Sequence, residues 1–184
     1  MDGLSERGFG YLIAFGLPGF LLLWGLSFSF PSVASWMATA SADKAPSVAG
    51  FLFTTVASFA LGLLLDAVTW LVLETALYKL TNLPAPNIDD HALARPEVLS
   101  AFQAAVENHY RYYQCYANSL LVMALVVPIY LVHSGQQYIW WYWFGILALV
   151  LILGWKARDE LSSFNGRATD ITHPSDDSGA NDAD

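Results

Sequence analysis

From Tyr112 to Trp155 the chain carries no Asp, Glu, Lys or Arg. Two further uncharged runs, Phe9 to Phe30 and Val48 to Leu65, precede it. A helix needs roughly 20 apolar residues to cross the hydrocarbon core, so these runs hold four crossings. In hydrocarbon the backbone must satisfy its own polar groups, and helices do so within one segment. Only 13% of the residues are charged, about half the fraction usual in a soluble domain. The expected fold is therefore all-α: a polytopic integral membrane protein with four transmembrane helices in a bundle. The spans fall at about 9–30, 48–72, 112–132 and 138–155.

Proline punctuates the pattern. Pro18 removes a backbone hydrogen bond inside the first span and predicts a kink there, and Pro31 is expected to end that span. The second helix is expected to continue to Leu80, and the third to run from Pro96 to about Val132, with Pro128 as a second kink site. Both exceed the thickness of the bilayer core, so both are expected to project into the cytoplasm. Thr81 to Pro96 reads as a loop, and Ser134 to Gln137 as a tight hairpin. The fourth helix starts near Tyr138 and ends at Trp155, with room to extend to Phe164. Residues 1–164 are thus expected to form one transmembrane domain. Residues 165–184 are expected to be a disordered acidic tail, since five of the acids fall in the last fifteen positions.

Basic residues set the orientation. Arg7, Lys79, Arg95, Arg111, Lys156, Arg158 and Arg167 share one side of a four-span topology, and Lys44 lies alone on the other. Seven against one places both termini in the cytoplasm by the positive-inside rule. The expected location is the cell membrane, here the bacterial inner membrane. Aromatic clusters at Tyr110–Tyr116 and Tyr138–Trp143 fit the two interfaces. A cleaved signal peptide would need a cut at Ala38-Thr39-Ala40 or Ala40-Ser41-Ala42. The first apolar run is longer than the roughly 7–15 residues of a signal core, which favours its retention.

Against this background a few polar residues stand out. Asp66 lies deep in the second span, where an ionised side chain is costly and marks either a structural pair or an ion or proton site. Glu74 is the second acid of the same helix. On the third helix Gln103, Glu107, Arg111, Gln114 and Asn118 follow at spacings of 4, 4, 3 and 4, an arc of about 80°. Glu107 and Arg111 read as an i,i+4 pair. Gln114 and Asn118 need hydrogen-bond partners in lipid, from within the chain, a subunit interface or a water-filled vestibule. Asp66 is expected to pair with Arg111, Gln114 or Asn118, because the end of the second helix lies beside the start of the third. Thr54, Ser58 and Gly62 lead to Asp66 in steps of four and suit close helix packing.

The chemistry this leaves is narrow. The net charge of −8 offers no nucleic-acid footprint. The single Cys115 allows no internal disulfide and no cysteine-based zinc site. His91, His109, His133 and His173 have no ligand spacing, and Asp89-Asp90-His91 reads as a solvated loop. No nucleophile elbow, phosphate-binding loop or dinucleotide fingerprint occurs, and no cofactor or metal is expected. The reading that fits best is a non-enzymatic, self-associating membrane protein. It would serve as a channel-like or membrane-perturbing effector, or as a sensor subunit of a bacterial stress or defence module. Its expected partners are the bilayer and a second copy. One alternative is a scaffold that docks a soluble cytoplasmic partner through the Thr81–Pro96 loop. Another is a lipid- or quinone-modifying enzyme using Glu107, His109 and Asp66 as acid–base groups.

Overall fold

The computed structural model describes residues 9–37, 48–134 and 140–173. Both small-x-small sequences between Ala38 and Ala42, residues 135–139 of the hairpin region and residues 174–184 of the tail lie outside them. Among the described residues every regular element is helical. Four helices are long and apolar enough to cross a membrane: α1 (Phe9–Ser27), α3 (Val48–Thr81), α4 (Pro96–His133) and α5 (Trp140–Thr172). Between α1 and α3 lies a short helix, α2 (Pro31–Met37).

Pro31 does not act as a simple stop. α1 ends earlier, at Ser27, where the Phe28, Ser29 and Phe30 amides bond back to Gly25 and Leu26. Pro31 then opens α2. At a first helical position its missing N–H costs nothing and its fixed φ suits the helix. Pro18 is accommodated by a widened π turn at Leu12–Gly16, just before it. Pro128 sits inside α4 without breaking the helix.

α1 packs against α3 and α4. The approach to α3 is at backbone distance. A methyl group on Gly19 would overlap the Ser58 carbonyl, and one on Gly62 would overlap the Phe15 carbonyl. Leu22, Leu65, Val122 and Val126 fill the space where the three helices meet. Thr54 stands one turn further along, at the edge of an apolar groove that also contains Ser58.

The opposite end, where α3 finishes and α4 begins, is called the polar end here. Asn82 terminates α3 in the left-handed region at φ 48°, a conformation asparagine tolerates after a helix. The strand-like segment that follows is tied to α5. Asn165 Nδ2 donates to the Pro84 carbonyl, the Asn87 amide donates to Thr169 Oγ1, and Thr172 Oγ1 donates to the Asn87 carbonyl.

The expected tail from residue 165 needs correction for its first part, because α5 continues to Thr172. Ala157, Leu161, Phe164 and Ala168 are buried at spacings of 4, 3 and 4, against α4 and the segment after α3. Asn165, Thr169 and Thr172 anchor that segment rather than facing solvent. The other half of α5 is different. From Trp140 to Ile152 every residue but Ile146 is exposed, and a methyl group on Gly145 or Gly154 would meet nothing within 4 Å.

Candidate functional site

The polar residues of α3 and α4 converge. Gln114 Nε2 donates to Asp66 Oδ1 at 3.0 Å, and Arg111 Nη1 donates to Gln114 Oε1 at 2.9 Å. Asp66 and Arg111 are thus joined through an amide. The Arg111 guanidinium lies over the Tyr11 ring at 4.2 Å and the Phe15 ring at 5.6 Å. Aromatic faces attract cations, and that stacking holds the charge against α1. Asn118, fully buried, lies beside Asp66 and donates from Nδ2 to the Ala14 carbonyl at 3.0 Å.

Three π turns flank this cluster: Leu12–Gly16 in α1, Trp70–Glu74 in α3 and Val106–Tyr110 in α4. Each leaves a helix locally wide. Such bulges are concentrated at functional sites in proteins generally. Phe15, Glu74 and Tyr110, one from each, all border the polar residues.

Glu74 and Arg111 also line a cavity of about 340 Å³ at the polar end, with Tyr78, Tyr110, Phe164 and Asn165. Glu74 Oε2, Arg111 Nε and Asn165 Oδ1 are buried and make no hydrogen bond within the described residues. The Tyr113 hydroxyl lies near the Glu74 carboxylate without reaching hydrogen-bond geometry. The orientation of the Asn165 amide is fixed by its neighbours. Nδ2 donates to both Tyr78 Oη and the Pro84 carbonyl, and only the NH₂ end can serve that carbonyl. Oδ1 is left over.

The remaining sequence candidates go elsewhere. His109 Nδ1 meets Glu160 Oε2 of α5 at 2.9 Å. Glu107 faces the start of α1, where its Oε2 would lie 2.7 Å from a methyl group on Gly10. Among the described residues no ion pair joins Glu107 to Arg111, because the guanidinium turns to Gln114 and Tyr11 instead. Glu107, His109 and Asp66 therefore do not form one acid–base group. Nor do three His, Cys, Asp or Glu side chains gather as metal ligands among the described residues. Sequence reasoning missed Tyr78, Tyr110, Phe164 and Asn165. The apolar pair Leu161 and Phe164, three apart, was the one hint of a buried face there, and Asn165 had none.

Compared with family models, curated proteins and solved structures, the chain matches none. Function must be argued from this geometry.

Proposed function

We propose that the chain is a non-enzymatic membrane sensor subunit that self-associates. In this reading it crosses the bacterial inner membrane four times with both termini in the cytoplasm, an orientation that the seven-to-one split of basic residues supports. The polar end faces the cytoplasm, where its cavity takes a small molecule. The membrane half of α5 meets a second copy.

One observation carries the proposal: α5 takes part in both regions. Its last turns wall the cavity with Phe164 and Asn165. Its first half is apolar on all sides and, from Trp140 to Ile152, exposed at every position but Ile146. A ligand that fills the cavity acts on the anchored half, and any tilt of this continuous helix moves the exposed half through the bilayer. Gln114 and Asn118 favour a sensor over a channel. Both amides donate inside the chain, to Asp66 and to the Ala14 carbonyl, and both side chains are buried rather than lining an open path for ions. The scaffold reading loses support from the Pro84–Asn87 segment, whose backbone groups are bonded to α5.

Two measurements test this. The mass of the protein in lipid nanodiscs should show more than one copy. Cysteines placed singly from Gly145 to Ile152, with Cys115 replaced by serine, should cross-link between copies along one helix face. A monomer that cross-links at none of these positions sinks the proposal.

A further inference from the structure

We propose that the cavity at the polar end is a binding site for a protonated organic amine carried on a small aromatic body. The site stands on its own geometry; its consequence for the assembly rests on the sensor reading above.

Size comes first. Ligand pockets run from about 300 to 1,000 Å³, and about 340 Å³ sits at the lower end. One or two fused rings with a short arm fit, whereas a nucleotide or a whole lipid does not. The walls favour flat apolar groups. Phe102 and Tyr110 both pack against Phe164, with ring centroids 6.0 and 5.0 Å apart. Phe102, Tyr110, Phe164 and Tyr78 all line the space.

Polarity sets the sign of the ligand. Two of the unbonded buried atoms in the lining are acceptors, Glu74 Oε2 and Asn165 Oδ1. Asn165 is 3% exposed, and both of its neighbours on the amide nitrogen are already in place. The unbonded donor in the lining is Arg111 Nε, and the Tyr113 hydroxyl, outside the lining, stands near Glu74 without bonding it. That guanidinium is already engaged by Gln114 and by the Tyr11 ring, and its charge answers Asp66 through the amide bridge. Glu74 is left without a cation. With all three groups ionised, Asp66, Glu74 and Arg111 sum to one negative charge. A buried charge is tolerated only when it is paired and hydrogen-bonded. An ammonium has three donors and no acceptor. Its donors match the two orphan oxygens in kind, its charge balances the carboxylate, and the aromatic lining attracts cations. An inorganic cation would leave the flat apolar space between Phe102, Tyr110 and Phe164 unfilled.

The test uses the full chain in nanodiscs, with tryptamine as the probe and indole-3-acetate as its anionic counterpart. Equilibrium dialysis should show saturable binding of tryptamine, one per chain, and none of indole-3-acetate. Glu74→Gln should weaken tryptamine binding at least tenfold. A second readout needs no variant: tryptamine should slow carbodiimide labelling of Glu74 in the wild-type chain, located by mass spectrometry. Equal or tighter binding of indole-3-acetate overturns the proposal. So does the absence of both tryptamine binding and Glu74 protection, which would leave a proton as the neutralising group. If tryptamine binds and protects Glu74 but leaves the copy number and the cross-linked face unchanged, the site stands and the sensor reading fails. If copies associate while tryptamine does not bind, the amine site fails and self-association stands.

Discussion

Asn118 donates its side-chain amide to the carbonyl of Ala14, and Ala14 is the residue whose α-helical donor would be Pro18. The proline has no N–H. Its position four residues on therefore deprives one buried carbonyl of α1 of its usual partner. Asn118 supplies the missing donor from α4, and the π turn at Leu12–Gly16 gives it room. Both Ala14 and Asn118 are fully buried, so water does not replace the bond. A donor lost locally in sequence becomes a link between two helices.

This link predicts a specific coupling. Asn118→Leu should destabilise the protein by about 1–3 kcal/mol, the cost of leaving a buried acceptor unmet. Pro18→Ala restores a backbone donor to the Ala14 carbonyl. In that background the same Asn118→Leu change should cost clearly less. Thermal unfolding in detergent of the two single variants and the double variant measures the difference. Equal costs in both backgrounds would show that the carbonyl has another partner.

The contact between α1 and α3 predicts a contrast among glycines. Gly19→Ala and Gly62→Ala place a methyl group on a neighbouring backbone carbonyl. The two helices must then separate, at the roughly 1–3 kcal/mol typical of overpacking. Gly154→Ala meets open space and should leave the melting temperature within error of wild type. If all three variants melt alike, α1 and α3 do not touch through these glycines.

Asp66 accepts from the Gln114 amide and lies beside the Asn118 amide, which bears on how it tolerates change. Asp66→Asn keeps an acceptor for Gln114, and the variant should stay close to wild type in stability. Asp66→Leu strands both Gln114 and Arg111. A buried group left without its partner costs about 1–3 kcal/mol, more when it is charged. Melting curves of the two variants decide the matter. A destabilisation by Asn as large as that by Leu would mean that the negative charge, not the hydrogen bond, holds this part of the chain.

The four apolar helices were legible because lipid-length uncharged runs admit few other readings. The convergence of Asp66 with Arg111, Gln114 and Asn118 was also readable, since antiparallel neighbours place those positions at one depth. Other features were hidden for physical reasons. Pro31 carries the same letter whether it ends one helix or begins the next. The π turns depend on how helices meet, not on any local motif. The cavity joins Glu74 to Asn165 across about half of the chain, through a helix end where two of the four buried apolar positions are alanine. Ala157 and Ala168 contribute little hydrophobic signal, and Asn165, Thr169 and Thr172 among them read as solvated until their bonds to Tyr78, Pro84 and Asn87 are seen.

That hidden half of α5 gives the last prediction. A chain ending at Asn165 resembles a harmless trim of a polar tail, yet it removes Ala168, Thr169 and Thr172. Ala168 is fully buried in the cluster with Ala105 and Phe164. Thr169 and Thr172 make the two hydrogen bonds to Asn87. Each such bond contributes about 1 kcal/mol net, and the lost apolar contact adds to them. The chain ending at Asn165 should therefore melt several degrees below a chain ending at His173. Protease cleavage between Leu83 and Ala92 should be faster in the shorter chain, because the segment loses its ties to α5. Equal melting and equal cleavage of the two truncations would show that α5 does not hold this segment.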